Sequence, residues 1–198
     1  MGEFASSEYT AGQLNSMVKN IRKVAGRDGV ERLLKSELSL GAPDTPPLLK
    51  LIGEVELSGV AKFVAADAFT KENGIAYMGE NFRKFILSVV EQNISATTLT
   101  VSDLTEAAKD MRIATALEVD RKGEVALAHF FELLQRQKKP GDLGSLRTDG
   151  GTNAAYIIGV DGNTWAVYAG LNSDGWRVNV YPLGDRSRWD AGNRFLSR

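Results

Sequence analysis

The sequence predicts an α+β protein with a helical N-terminal unit, followed by a mixed domain that ends in an antiparallel sheet. The main evidence is a break in composition near Pro140. Lys, Glu, Gln, His and Met are absent after Lys139, whereas ten of the 20 glycines and all three tryptophans follow it. Good helix formers dominate the first part, and turn residues between aromatic and β-branched residues dominate the second. We expect helices mainly before residue 140 and strands after it.

Residues 1–41 are predicted to form a helical hairpin module. Thr10 can cap a first helix that ends before Gly26, and Asp28 can cap a second. Two such helices also suit a helix-turn-helix regulator, but six basic and five acidic side chains in the first 40 residues leave little basic excess for DNA. Three prolines in 42–47 then predict a linker. The α+β domain is therefore expected at 48–198.

Between the linker and residue 140, strand and helix patterns are mixed. The segments are 48–57 (strand or helix), 60–69 (both periods), 74–78 (strand), 81–91 (helix), 97–101 (strand) and 124–138 (helix). Ser102 or Asp103 is expected to cap a helix directly after the strand at 97–101. The helix over 124–138 has the clearest apolar face. The glycine-rich stretch 141–151 lacks the Gly-Lys-Ser/Thr ending of a phosphate loop and is expected to be a flexible connection.

The last part of the domain, about 152–198, is predicted to be a β-rich meander. Strands are expected at 154–160, 164–169, 176–181 and around 194–196, the last of which closes the sheet. Asp161-Gly162 between the first two is a strong hairpin signal. Side-chain alternation in the third strand places one set of residues on a buried face and the other set on an exposed face. The first set is Trp176, Val178 and Val180, and the second is Arg177, Asn179 and Tyr181.

Composition excludes several classes of function. Without cysteine there is no disulfide, zinc-thiolate site or Cys nucleophile, and the net charge of −1 gives no overall basic surface for nucleic acid or anionic lipid. The single histidine, His129, lies on the flank of a predicted helix and is expected to be a structural or surface residue rather than a catalytic one. Asp103, Glu106 and Asp110 fall close to one helical face, which we interpret as a solvated acidic face rather than a cation site. We expect no cofactor and no metal.

The C-terminal segment has the composition of a binding surface. From Trp165 to Arg198, 20 of 34 residues are Gly, Asn, Ser, Asp, Tyr or Arg, and neither Lys nor Glu occurs. Tyr and Arg offer large or forked contacts and Asn, Ser and Asp adapt their hydrogen bonds, whereas Lys and Glu are depleted at interface cores. The predicted scaffold is Trp165, Trp176 and Trp189. The predicted ligand-binding positions are Tyr168, Asn172, Ser173, Asp174, Arg177, Asn179, Tyr181, Asp185, Ser187, Arg188, Asp190 and Asn193.

Two stretches of this segment, 175–181 (GWRVNVY) and 188–198 (RWDAGNRFLSR), resemble the hypervariable ending of the variable proteins of diversity-generating retroelements. In that family, mutagenesis of template adenines converts Asn codons into codons for Tyr, Asp, Ser and similar residues. The resemblance covers roughly the last 40 residues. It implies a C-type-lectin-like fold whose changeable residues bind ligands, often proteins.

The sequence therefore favours a non-enzymatic ligand-binding protein in which a variable surface lies on a Trp-anchored sheet. One alternative is a hydrolase or lyase acting on a small or sugar ligand through carboxylates such as Asp161, Asp174 or Asp190. A second alternative is the helix-turn-helix regulator with a sensor domain. The expected partner is a protein ligand, without nucleic acid or membrane, and the N-terminal helices could support oligomerisation. The absence of a signal or a long apolar run predicts a cytoplasmic location.

Overall fold

The computed structural model describes residues 47–119, 124–185 and 188–198, together with Lys19, Asn20 and Lys23. The chain divides into two units, 1–45 and 46–198. The helical hairpin predicted for 1–41 lies outside the described residues, apart from those three, which are helical. The second unit is an α+β domain.

The described part of the domain contains eleven strands and four helices. The strands are β1 (Leu49–Leu57), β2 (Val60–Val64), β3 (Ile75–Met78), β4 (Val90–Ile94), β5 (Thr97–Leu104), β6 (Ala108–Lys109), β7 (Asn153–Ile158), β8 (Thr164–Asn172), β9 (Gly175–Pro182), β10 (Arg188–Trp189) and β11 (Arg194–Ser197). The helices are α1 (Ala65–Ala68), α2 (Glu80–Phe85), α3 (Asp110–Ala116) and α4 (Leu127–Arg136).

Seven strands form one mixed sheet in the order β1-β5-β11-β7-β8-β9-β3. The consecutive strands β7, β8 and β9 are antiparallel, which confirms the predicted meander. The last strand, β11, lies inside the sheet, antiparallel to β5 and parallel to β7, so the prediction that it closes the sheet is wrong. Two further pairs, β2 with β4 and β6 with β10, form small separate sheets.

The seven-stranded sheet is apolar on both faces. One face packs against α4, whose Leu127, Phe130 and Leu134 are buried with Val167 and Val178 of the sheet. The opposite face packs against α3 and β10, and a second cluster around Tyr156, Trp189 and Phe195 fills that contact. Because this cluster covers the second face only in part, the stretches that it leaves uncovered can present side chains to solvent.

Several predicted elements before residue 140 are wrong. No helix follows the strand at 97–101 directly, because β5 continues through Ser102 and Asp103 to Leu104, and α3 begins only at Asp110. The helix predicted over 81–91 ends at Phe85, and β4 begins at Val90. The expectation of few strands before residue 140 also fails, since β1 to β6 all lie there. In each case a strand pairs with a partner distant in sequence, and that pairing overrides the local helical spacing.

The glycine-rich stretch 141–151 is held in place by buried polar side chains rather than free. Gln137 Oε1 accepts from the Leu146 amide at 2.8 Å, and its Nε2 donates to the Leu146 carbonyl at 3.0 Å. Asn153 holds Arg147 in the same way, with bonds of 2.7 and 3.0 Å to its amide and carbonyl. A segment without secondary structure thus acquires a fixed path beside the sheet.

Candidate functional site

The centre of the candidate site is a group of five polar and aromatic side chains on the second face of the sheet, at its β8-β9-β3 edge. We call this group, Tyr77, Tyr168, Arg177, Asn179 and Tyr181, the tyrosine face. Along β9 its members alternate with Trp176, Val178 and Val180, which are buried. The predicted alternation of this strand is confirmed. Four of the five residues were predicted ligand-binding positions, and Tyr77 was not.

Tyr168 and Tyr181 form a rigid pair in the middle of the tyrosine face. Their rings stack with centroids 5.0 Å apart, and each makes a T-shaped contact with the buried Trp189 ring, with centroid distances of 5.6 and 6.1 Å. Both are half-buried. Burial raises the pKa of Tyr168 above the ordinary tyrosine value, and the hydrogen bond with Tyr181 raises it further. The Tyr168 phenol therefore stays neutral, and both rings carry hydroxyl groups that can donate hydrogen bonds.

Arg177 lies at the solvent side of the tyrosine face. Its Nη2 donates to Asp174 Oδ2 at 3.0 Å, and its guanidinium carbon stands 5.7 Å from the centre of the Tyr77 ring. In the amide orientation that satisfies both groups, Asn172 accepts from Arg177 Nε at 2.9 Å. About half of the Arg177 side chain is exposed, at 49%. The guanidinium is thus oriented by three neighbours and retains free surface for a ligand.

The β8–β9 turn and Gly79, the residue that follows β3, shape this edge. Gly175 follows the turn with φ of +125°, and a Cβ there would lie 2.6 Å from the carbonyl oxygen of Gly74. Ser173 and Asp174 at the tip are exposed. Gly79, where the chain leaves β3, lies against the Asn179 amide, so any side chain at Gly79 would collide with it. The short strand β3 can therefore lie close to β9.

The remaining predicted positions form a second group, in 185–193. Arg188 and Asp190 are exposed, Asp185 and Asn193 are half-buried, and Ser187 lies outside the described residues. Arg188 Nη2 donates to the Ala107 carbonyl at 3.0 Å. The Asn193 carbonyl accepts from the Leu104 amide of β5 at 2.8 Å.

The two groups are not one compact patch. Asn193 directly precedes β11, three strands from β9, which corresponds to about 14 Å across the sheet.

Of the described predicted positions, none is fully buried, but Tyr168, Asn179, Tyr181, Asp185 and Asn193 are only partly exposed. The expectation that strand alternation and turns leave all of them exposed is thus met only in part, because β10 and its Trp189 cover one side of the tyrosines.

The three tryptophans are buried, and each indole N–H has an acceptor outside the predicted variable positions. Trp165 donates to Asp161 Oδ1 at 3.1 Å. Trp176 donates to the carbonyls of Leu134 and Gln137, at 2.9 and 2.8 Å. Trp189 donates to Asp110 Oδ1 at 3.0 Å. Their positions are those that scaffold residues require, since each ring is fixed in the interior by a directional bond.

Two residues of the site were missed from the sequence. Tyr77 lies in a predicted strand, but its place beside Arg177 depends on the parallel pairing of β3 with β9, about 100 residues later. Asp110 was assigned to a solvated acidic helix face together with Asp103 and Glu106. That interpretation is wrong, because Asp103 lies in β5 and Asp110 is buried. A buried aspartate at the start of a helix has no sequence signal that separates it from an exposed cap.

Asp161 and Asp174, two of the carboxylates considered for catalysis, do not form a catalytic pair. Asp161 and Asp174 lie beyond opposite ends of β8, whose nine residues span about 26 Å, far more than the separation of a glycosidase pair. Asp161 is engaged in its own turn, where hydrogen bonds from the Asn163 and Trp165 side chains lower its pKa. His129 is buried, with Nε2 3.1 Å from the Ser58 carbonyl. Among the described residues, no group of three His, Cys, Asp or Glu side chains could hold a metal ion.

A cavity of about 690 Å³ lies between β2 and α4, and none of the predicted positions lines it. Its walls are mainly apolar, with Phe63 and Phe131 as the largest side chains. The candidate site therefore lies outside this cavity, on the surface of the sheet.

Comparison with known proteins adds no identification. No protein-family model matches the chain, and neither a curated protein nor a solved structure matches it. Within the described residues, no helix has the length and apolar character needed to cross a membrane.

Proposed function

We propose that this domain is a non-enzymatic ligand-binding module, a retroelement-diversified variable protein that presents the tyrosine face to a ligand of protein nature. The single observation that carries the proposal is the alternation along β9. Trp176, Val178 and Val180 are buried, whereas Arg177 is exposed and Asn179 and Tyr181 are partly exposed. Changes at the second set therefore leave Trp176, Val178 and Val180 in place, although the Tyr181 ring also packs against Trp189.

The chemistry of the tyrosine face supports recognition of a protein surface. Tyr77 is 48% exposed and stands beside the Arg177 guanidinium, so an apolar ring and a forked donor are available together. Tyr and Arg are the residue types that most often dominate binding energy at protein interfaces. Because the Tyr168 and Tyr181 rings are already stacked, binding orders few further rotamers.

The resemblance in 175–181 and 188–198 supports the more specific part of the proposal, that the fold is C-type-lectin-like and that the segment is diversified. In such a family, the residues at these positions differ from one copy of the gene to another, so the proteins made from different copies bind different ligands. The absence of Lys and Glu from the predicted ligand-binding positions agrees with this origin, since mutagenesis of an Asn codon at its adenines yields neither.

A display experiment tests whether this surface can bind. The full chain is displayed with Tyr168, Arg177, Asn179 and Tyr181 randomised, and clones are selected on immobilised lysozyme as a stated probe. The matched control library randomises four exposed or half-exposed positions on β1 and β5, which pair with each other at the other side of the sheet. These positions are Glu54, Glu56, Thr98 and Thr100, which face one another in register.

We expect saturable lysozyme binders from the first library and none from the control. If the first library fails to display folded protein, or if both libraries yield binders equally often, the tyrosine face has no special capacity to bind and the proposal is contradicted.

A further inference from the structure

Asp110, the first residue of α3, is a buried carboxylate whose hydrogen bonds from the described part of the chain come from neutral donors of distant segments. It is 1% exposed. Its Oδ1 accepts from the Tyr156 hydroxyl at 2.7 Å and from Trp189 Nε1 at 3.0 Å, and its Oδ2 accepts from the Gly184 amide at 2.9 Å. Burial of a carboxylate is costly unless such donors satisfy its lone pairs, so the three donors must stay within hydrogen-bond distance of Asp110.

The three donors tie the candidate site to the rest of the domain. Tyr156 belongs to β7 in the middle of the sheet, whereas Gly184 follows β9 and Trp189 lies in β10. One carboxylate therefore fixes both ends of the connection from 184 to 189. The Trp189 ring in turn packs against the rings of Tyr168 and Tyr181.

We infer that Asp110 is a positioning residue for the tyrosine face, which holds Trp189 and Gly184 in place while the side chains between them vary. The inference rests on the proposed function, because it explains how predicted binding positions such as Asp185 and Arg188 can change without displacing Trp189. Asp110 itself lies far upstream of the segment that resembles the hypervariable ending, so diversification of that segment leaves it unchanged.

Asparagine cannot replace Asp110 in this role. The asparagine amide has one oxygen, which can accept from Tyr156 and Trp189, and one NH₂ group, which is a donor. If that NH₂ group took the place of Oδ2, it would face the Gly184 amide, which is also a donor. At least one of the three donors then loses its acceptor, although size and shape hardly change.

The test uses the ¹⁵N-labelled full chain, in which the three indole N–H groups give separate nuclear magnetic resonance signals. Asp110→Asn is compared with Asp161→Asn, a matched control because Asp161 accepts from the indole of Trp165 in the same manner. We expect Asp110→Asn to speed hydrogen exchange at the Gly184 amide or the Trp189 indole at least about tenfold, the loss expected for a bond to a charged group. The ring signals of Tyr168 and Tyr181 should shift as well.

The control should change the Trp165 indole and leave exchange at Trp189 within about twofold of wild type. The double variant Asp185→Ser/Arg188→Ser, with Asp110 intact, should also leave Trp189 exchange unchanged. Unaltered exchange in Asp110→Asn, or faster Trp189 exchange in the double variant, would overturn the inference.

A wild-type measurement keeps the inference testable if Asp110→Asn does not fold. The Gly184 amide and the Trp189 indole should then exchange with the same opening free energy, because one acceptor holds both, and different values would overturn the inference. No ligand enters any of these measurements. Failure of the lysozyme selection would therefore contradict the proposed function alone, and failure of the exchange experiment would contradict only the role of Asp110.

Discussion

Two adjacent residues of β9 give a sharp test of the division between scaffold and surface. Trp176 is 1% exposed and donates from Nε1 to two carbonyls, whereas Arg177 is half-exposed and makes one surface ion pair with Asp174. Trp176→Phe removes the donor and part of a buried ring, and it leaves two carbonyl groups without that partner. The lost bonds and the space left behind together should cost about 2–4 kcal/mol.

Arg177→Ala should cost no more than about 0.5 kcal/mol, because an exposed ion pair contributes little in water. Tyr181→Ala should fall between the two, at about 1–2 kcal/mol, since the ring is half-buried and stacks on Tyr168. This last value exceeds the cost of an ordinary surface change, because part of the ring belongs to the packing around Trp189.

Urea unfolding of the three variants, followed by circular dichroism, measures these differences if the dependence of the free energy on urea stays constant. The order Trp176→Phe, Tyr181→Ala, Arg177→Ala from most to least destabilised is the expected result. An Arg177→Ala chain as unstable as Trp176→Phe would show that the outward residues of β9 are structural, and the surface interpretation would be refuted.

Three further predictions concern other groups of the domain. Glu91→Ala should destabilise the domain by about 1–2 kcal/mol in thermal or urea unfolding, because both Glu91 oxygens accept from the first two amides of α4 at 2.8 Å; an unchanged midpoint would contradict this cap. In alkaline titration at 295 nm, Tyr156 and Tyr168 should ionise only above the ordinary tyrosine range, since burial raises the pKa of each, and Tyr168→Phe should remove one late step. The hydrogen bond from Arg147 lowers the pKa of Asp149 to about 2 from 3.8, so the pair should stabilise the fold above about pH 4 and lose that contribution as pH falls toward 2. Because Asp149 is mostly exposed, the loss should stay below about 1 kcal/mol, and Asp149→Asn should abolish it.

The sequence was most informative where structure depends on neighbours along the chain. The Asp161-Gly162 turn and the alternation of apolar residues correctly predict the hairpin of β7 and β8 and the two faces of β9. Side chains two residues apart must share a face of a strand, whatever the strand pairs with. The buried positions of the three tryptophans follow from the same rule and from their size.

Contacts between distant segments could not be predicted in the same way. Helix α4 begins at Leu127 rather than at 124, because Glu91 of β4 caps it from outside, and no local residue marks that point. The insertion of β11 between β5 and β7, and the pairing of β3 with β9, are likewise decided by partners far along the chain. Tyr77 and Asp110 joined the candidate site through such contacts. Their residue types alone do not distinguish them from ordinary surface positions.

The central claim is that the tyrosine face and the following segment form a diversified binding surface. The most direct measurement is to sequence the nucleotides that encode 160–198 in many copies of the gene from the source population. We expect changes to arise at adenines and to cluster at the predicted positions, while the codons for Trp165, Trp176 and Trp189 stay constant. The positions are Tyr168, Asn172, Arg177, Asn179, Tyr181, Ser187, Arg188, Asp190 and Asn193. A segment as uniform as the rest of the gene would contradict the account.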